Sequence, residues 1–255
     1  MKATVFFTFG EVDGHDLHDR TAVVIDVLRA TSTMIGALAA GAEAIYPVVS
    51  VEDAIKLVTS LGRAGPRTPR AGGHAERGET LLAGERRGLA IEGFDLGNSP
   101  PEFTAAAVAG KRVVMSTTNG TAALVAASGA ERVLVAAFVN LAAVVAAVEG
   151  AERLAVVCAG RDGRFSIDDA LCAGMLVSRL ADRLGGALEL EDAGRAALAL
   201  ASSYAPDVDF LLHSASGAAL AAIGLEEDVR WCARADVFDL VPELSDRVIR
   251  SRHGA

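Results

Sequence analysis

At 255 residues the chain has length for one large α/β domain or two small ones, and with 51% hydrophobic residues it has ample material for a core. A formal net charge of −9 argues against the basic stripe that a nucleic-acid surface needs. Three cysteines, Cys158, Cys172 and Cys232, are too few and scattered for a disulfide framework or a zinc knuckle, and no apolar run reaches membrane-spanning length unbroken.

Apolar runs of strand length alternate with helical stretches along most of the chain. The first run, 4–9, sits in a start that lacks a basic lead-in and a small-residue cleavage site, so it does not read as a signal peptide. His15, Asp16, His18 and Asp19 follow in a polar linker and read as solvated rather than metal-binding. A strand over 21–27 leads into a helix over 32–40, then a strand over 44–49 and a helix over 51–61. Residues 63–78 are rich in Gly, Pro and Arg, have no periodicity, and predict a long loop that holds His74. A second loop, 92–102, enters a helix at Pro100 or Pro101. The rhythm resumes with strands over 112–116, 132–136 and 153–158 and helices over 121–127, 141–149 and 170–184.

That β-α-β-α order predicts an α/β fold with a mainly parallel sheet covered by helices on both faces. From about residue 186 the pattern turns mostly helical, over 188–203, 206–214 and 215–223. Short strands are expected at 229–233 and 237–240, and the tail 251–255 is expected to fray. The whole reads as a single α/β domain in a cytoplasmic protein, with a homo-oligomer as the expected assembly.

Ligands of such sheets sit beyond the carboxyl ends of the strands. Two segments place hydroxyls there. The first runs Asp26-Val27-Leu28-Arg29-Ala30-Thr31-Ser32-Thr33, the second Ser116-Thr117-Thr118-Asn119-Gly120-Thr121. Helix starts expose unpaired N–H groups, hydroxyls add donors, and Arg29 adds a fork suited to phosphate or carboxylate. Asp26, at a strand end beside them, suits a hard cation or attack on phosphorus. In the 92–102 loop, Asp95, Asn98 and Ser99 offer oxygens or donors, although Asn-Ser-Pro is equally a helix cap. Arg161 and Arg164 are further anion ligands. Ser166 to Asp169 reads first as a capping box, with metal roles for Asp168 or Asp169 second. Cys158 and Arg164 stand at the Cys-x5-Arg spacing of thiol phosphatases. His213 reads as a helix-end residue.

Together these motifs resemble the 2-phosphosulfolactate phosphatases of coenzyme M biosynthesis. The matching stretches are DVLRATST (26–33), GER (84–86) with GFDLGNSP (93–100), STTNGT (116–121) and GRFSIDDALCAG (163–174). The resemblance implies a three-layer α/β/α fold with a mixed sheet. It also implies magnesium-dependent hydrolysis of (2R)-2-phospho-3-sulfolactate to 3-sulfolactate and phosphate.

On this reading Asp26, Arg29, Thr117 and Asn119 are catalytic. Thr31, Ser32, Ser116, Thr118, Gly120, Thr121, Asn98, Ser99, Arg161 and Arg164 bind the anionic substrate, and Asp26, Asp95 and Asp169 hold Mg2+. The rivals are a metal-independent phosphatase built on Cys158 and Arg164, and a domain that binds a phosphorylated metabolite without turning it over.

Overall fold

Thr21–Ile25 is buried along its whole length, as a strand covered on both faces must be, and it forms β2 near the middle of the sheet. The computed structural model describes residues 1–13, 17–63 and 79–252. His15, Asp16, His74, nearly all of the predicted 63–78 loop and the end of the tail lie outside the described residues.

The other parallel strands are β1 (Lys2–Phe6), β3 (Ala44–Val48), β4 (Thr80–Arg86), β6 (Arg112–Ser116), β7 (Arg132–Ala136), β8 (Arg153–Cys158) and the two-residue β9 (Glu189–Leu190). They fall into two parallel groups, β4-β6-β3 and β7-β2-β8-β1-β9. An antiparallel hairpin, β10 (Val241–Ser245) and β11 (Val248–Arg252), lies between them. It joins the groups by pairing β10 with β7 and, through Ile249 and Ile45, β11 with β3. At one edge β5 (Leu89–Ala90) folds back antiparallel on β4. The sheet is therefore mixed, with eleven strands among the described residues.

Alternation along the strands sends side chains to two helical layers. Val24, Val113, Val135 and Val157 face α1 (Ala30–Ala39) and α4 (Gly120–Ala126). Val23, Ile25, Leu134 and Val156 face α5 (Leu141–Val148) and α6 (Ile167–Leu184). Over the other parallel group, Leu82 and Val114 meet Ala54 and Val58 of α2 (Val51–Ser60). A short α3 (Ala105–Val108) precedes β6. The expected three-layer α/β/α arrangement is thus present. Among the described residues, no helix is long and apolar enough to cross a membrane.

The region after residue 186 holds α7 (Asp192–Ser203), α8 (Val208–His213), α9 (Ala215–Ala222) and α10 (Glu226–Cys232) before the hairpin. Several expected boundaries move for local reasons. The first strand stops at Phe6 because a 3-10 turn, Phe9–Glu11, follows. The helix expected from 188 starts at Asp192, where Glu191 accepts hydrogen bonds from Ala193 and Gly194 N–H, each at 3.0 Å.

Residues 229–232 belong to helix α10 rather than a strand, and Ala233 caps it. Glu226, Glu227 and Asp228 in its first turn complement the helix dipole, and Val229 and Cys232 share its buried face. Residues 237–240 carry no regular structure, and pairing begins at Val241.

Candidate functional site

The two hydroxyl-rich loops meet. Asp26 follows β2 and accepts a hydrogen bond on Oδ1 from Ala30 N–H, at 3.1 Å, which caps the start of α1. Gly120 opens α4 directly against it. A Cβ on Gly120 would lie 2.4 Å from Ala30 Cβ and 2.6 Å from Asp26 Oδ2. Gly120 therefore acts by being small. Gly120→Ala is expected to cost about 1–3 kcal/mol through overpacking and to lower turnover by displacing Asp26, as thermal unfolding and a phosphate-release assay would show.

Several predicted ligands are spent on the loops themselves. Thr31 Oγ1 donates to Asp26 C=O (2.7 Å) and accepts from Asp26 N–H (2.9 Å), and Ser32 Oγ donates to Val27 C=O (2.8 Å). In the second loop Thr121 Oγ1 donates to Thr117 C=O (2.9 Å), while Ser116 Oγ donates to Val49 C=O (3.2 Å) and accepts from Arg86 (2.8 Å). All four are fully buried, and none lines the cavity beside the loops. They fix loop shape instead of binding a ligand. Thr117, Thr118 and Asn119 do line that cavity, whose volume is about 380 Å³.

The cavity is strongly acidic. Asp26, Glu85, Asp162, Asp168 and Asp169 line it, against Arg29, Arg87 and Arg161. Two of the acids act as braces. Asp169 accepts from Val27 N–H (2.8 Å) and Gly160 N–H (3.0 Å), tying the loop after β2 to the loop after β8. It does not return to Ser166, so the expected capping box is absent. Glu85 accepts from Thr118 N–H and Gly88 N–H, both at 2.7 Å, tying the loop after β6 to the turn after β4.

Asp168 accepts from Ser166 Oγ at 2.5 Å, and Ser166 Oγ lies 3.1 Å from Ser216 Oγ of α9. Burial pushes the Asp26 carboxyl up to about 7, with the negative charges of Asp168 and Glu85 adding to the effect against Ala30 N–H and Arg29. Asp168 and Asp169 are also raised, first by burial; for Asp169 the charges of Asp168 and Asp26 follow.

Arg29 lines the cavity but is already engaged. Its Nη1 donates to Asp228 Oδ2 at 2.5 Å, its Nη2 donates to Gly88 C=O at 2.7 Å, and both side chains of the ion pair are 3% exposed. Asp228 also accepts from Ser99 Oγ at 2.6 Å, so Ser99 supports this pair and does not face the cavity. Asn98 does face it, and its Oδ1 is buried with no hydrogen-bond partner. Arg161 also lines the cavity and donates to Ala215 C=O.

Three expectations are corrected here. Asp95 is no cavity ligand: Arg63 grips its carboxylate with both Nη atoms, and Leu82 N–H donates to it at 2.7 Å. Arg164 is exposed and outside the cavity, its backbone paired with that of Arg161 at 2.8 and 2.9 Å. Cys158 is fully buried, its thiol pushed well up by desolvation, and it too stays outside the cavity. The thiol-phosphatase arrangement is therefore not built. His213 is an exposed helix-end residue, as expected, and His18 and Asp19 form an exposed pair.

Sequence reasoning missed Glu85, Arg87, Ser216 and Asp228 as parts of the site. For Glu85 and Arg87 the available signal was the GERRG run after a short apolar stretch, which is strand β4 and its turn.

Known proteins match nearly the whole chain. A family model described as 2-phosphosulpholactate phosphatase matches residues 6–247. A probable 2-phosphosulfolactate phosphatase of Caldanaerobacter subterraneus subsp. tengcongensis is 35% identical over 253 residues, 98% of each chain. One from Clostridium perfringens strain SM101 is 38% identical over 252 residues, covering 98% of this chain and 96% of its own. Another, from Carboxydothermus hydrogenoformans, is 38% identical over 226 residues, 88% of this chain and 86% of its own.

Proposed function

This chain belongs to the 2-phosphosulpholactate phosphatase family, a family of phosphoric monoester hydrolases, and from that premise we propose that it hydrolyses (2R)-2-phospho-3-sulfolactate to 3-sulfolactate and phosphate with Mg2+. The observation that carries the reading is the meeting of Asp26 with Gly120 at the cavity, beside Thr117, Thr118 and Asn119. An acid, hydroxyls and two helix starts converge where a phosphate ester would be held.

Charge supports a cation. The substrate carries phosphate, carboxylate and sulfonate, while the cavity lining holds five acids against three arginines. Bringing the two together without a counter-charge is unfavourable in a partly desolvated site. The available donors are oxygens: the Asp26 and Asp168 carboxylates and the unpartnered Asn98 Oδ1. Among the described residues no group of three or more His, Cys, Asp or Glu side chains is set to enclose a metal ion. That combination fits Mg2+, which keeps several waters and binds through one or two carboxylates plus substrate phosphate oxygens.

When bound, the ion would polarise a phosphoryl oxygen and neutralise charge that develops there. The chain's own groups do the rest. Asp26 presents its carboxylate from a capped, fixed position, and Thr117, Thr118 and Asn119 supply polar groups around the phosphate. Asp169 holds the loops after β2 and β8 together, and Glu85 holds the loop after β6 to the turn after β4, each through backbone N–H groups. Because these contacts pre-exist, little reorganisation is needed when the substrate enters.

The test is phosphate release from racemic 2-phosphosulfolactate, first with magnesium and then with excess EDTA. Turnover that vanishes with EDTA and returns with added Mg2+ is expected. Turnover that survives EDTA would remove the metal from the proposal, and none in either buffer would remove the substrate. As part of the same proposal, the protein is a cytoplasmic homo-oligomer.

A further inference from the structure

Arg87 and Gly88 are the two residues that join β4 to β5, closing the hairpin beyond its last pair, Arg86–Leu89. Both have positive φ, 54° and 83°, as a type I′ hairpin turn requires. Such turns favour Asn, Asp or Gly at the first central position. An arginine there holds a left-handed backbone that L side chains rarely adopt.

The turn is fixed from three sides. Gly88 N–H donates to Glu85 Oε2 (2.7 Å), Gly88 C=O accepts from Arg29 Nη2 (2.7 Å), and Ile223 Cδ1 lies 3.0 Å from where a Gly88 Cβ would stand. Glu85 and Arg29 thereby hold Arg87 at the cavity wall. Of the three cavity arginines, Arg29 is engaged by Asp228 and Arg161 by Ala215 C=O, with Asp162 at 3.8 Å. Among the described residues Arg87 makes no ion pair or side-chain hydrogen bond, and it is exposed.

We propose that Arg87 is the specificity-determining residue that receives the sulfonate of the substrate. The proposal rests on the reading that places the phosphate at Asp26. In 2-phosphosulfolactate the carboxylate shares C2 with the phosphate ester, whereas the sulfonate sits one methylene further, on C3. With phosphorus at the buried end, the sulfonate is the anion that extends toward the exposed turn. A guanidinium fork matches its oxygens, and a paired charge there favours a sulfonate over a neutral C3 group. An arginine that served only to solvate the hairpin edge would show no dependence on what C3 carries.

The experiment uses Arg87→Asn, which gives the turn the Asn-Gly pair that type I′ geometry favours and so protects folding. Kinetics are measured on 2-phosphosulfolactate and on 2-phospholactate, which carries a methyl group in place of the sulfonatomethyl. The variant is expected to lower kcat/KM for the sulfonated ester about 10- to 100-fold more than for the other, mainly through KM. In parallel, calorimetric binding of 3-sulfolactate and lactate reads the same preference without turnover. The wild-type chain should favour 3-sulfolactate, and Arg87→Asn should erase that preference.

Equal weakening toward both ligands, a preference that persists in the variant, or no preference in the wild-type chain would overturn the assignment. If neither ester is hydrolysed, the substrate proposal fails on its own and the binding measurement still decides Arg87.

Discussion

Asp26→Asn is expected to lower kcat for phosphate release about a thousandfold and to leave the fold intact. Asparagine is nearly isosteric and keeps an oxygen that can accept from Ala30 N–H, so the cap of α1 survives. What disappears is the charge at the point where the two loops meet.

Stability should move the other way. Burial disfavours the ionised Asp26 carboxylate, raising its pKa from 3.8 to about 7, so the folded protein binds the proton more tightly than the unfolded chain does. This contribution to stability is fully present below pH 3.8 and is lost as the pH rises through about 7. Thermal unfolding in EDTA at pH 5 and pH 8 checks the sign. The stability advantage of Asp26→Asn over the wild type should be larger at pH 8 than at pH 5, where part of the wild-type contribution remains. Restoring Mg2+ should reverse the order by stabilising the wild-type chain alone. A variant with normal turnover would remove Asp26 from the chemistry.

Asp228→Ala is expected to cost about 3–5 kcal/mol of folding stability, because it strands the buried Arg29 charge and deprives Ser99 Oγ of its acceptor. Denaturant unfolding measures the loss. The double variant Arg29→Met with Asp228→Leu should recover much of it, since neither charge is then buried. The surface pair Arg183–Glu149, at 44% and 45% exposure, gives the contrast. Removing one partner there should cost less than about 1 kcal/mol. Full stability in Asp228→Ala would show that water reaches Arg29 and that the pair does not anchor the loop.

The sequence made the parallel strands plain. Buried runs such as Val23-Val24-Ile25 and Val133-Leu134-Val135 are apolar on both faces and bounded by turns, and a helix follows each in turn. It made β4 obscure, because its apolar core is only Leu81-Leu82-Ala83 and it follows a Gly/Pro/Arg stretch. The hairpin was hidden for another reason. Val241-Pro242-Glu243-Leu244-Ser245 contains a proline and a charge, and Glu243 accepts from Arg132, 111 residues away in sequence.

The site divides in the same way. Asp26, Thr117, Thr118, Asn119 and Arg161 reach the cavity as their strand-end positions suggest, and Asn98 reaches it from the 92–102 loop. Thr31, Ser32, Ser116 and Thr121 do not, because a hydroxyl count cannot separate a donor aimed at a ligand from one that satisfies a nearby carbonyl. Asp95 was attractive as a loop carboxylate until Arg63, 32 residues earlier, claimed it. Nothing local to either residue announces that pairing.

The hairpin at the centre of the sheet also has a bearing on synthesis. As the ribosome releases the chain from its N-terminus, every other strand among the described residues emerges before residues 241–252. Until then β3 and β7 present open edges to each other with no strand to fill the gap. Exposed edges of apolar strands are templates for wrong pairing, including pairing with another nascent chain. Those two edges therefore stay open to wrong pairing until residues 241–252 have emerged, however much of the rest of the sheet has already formed.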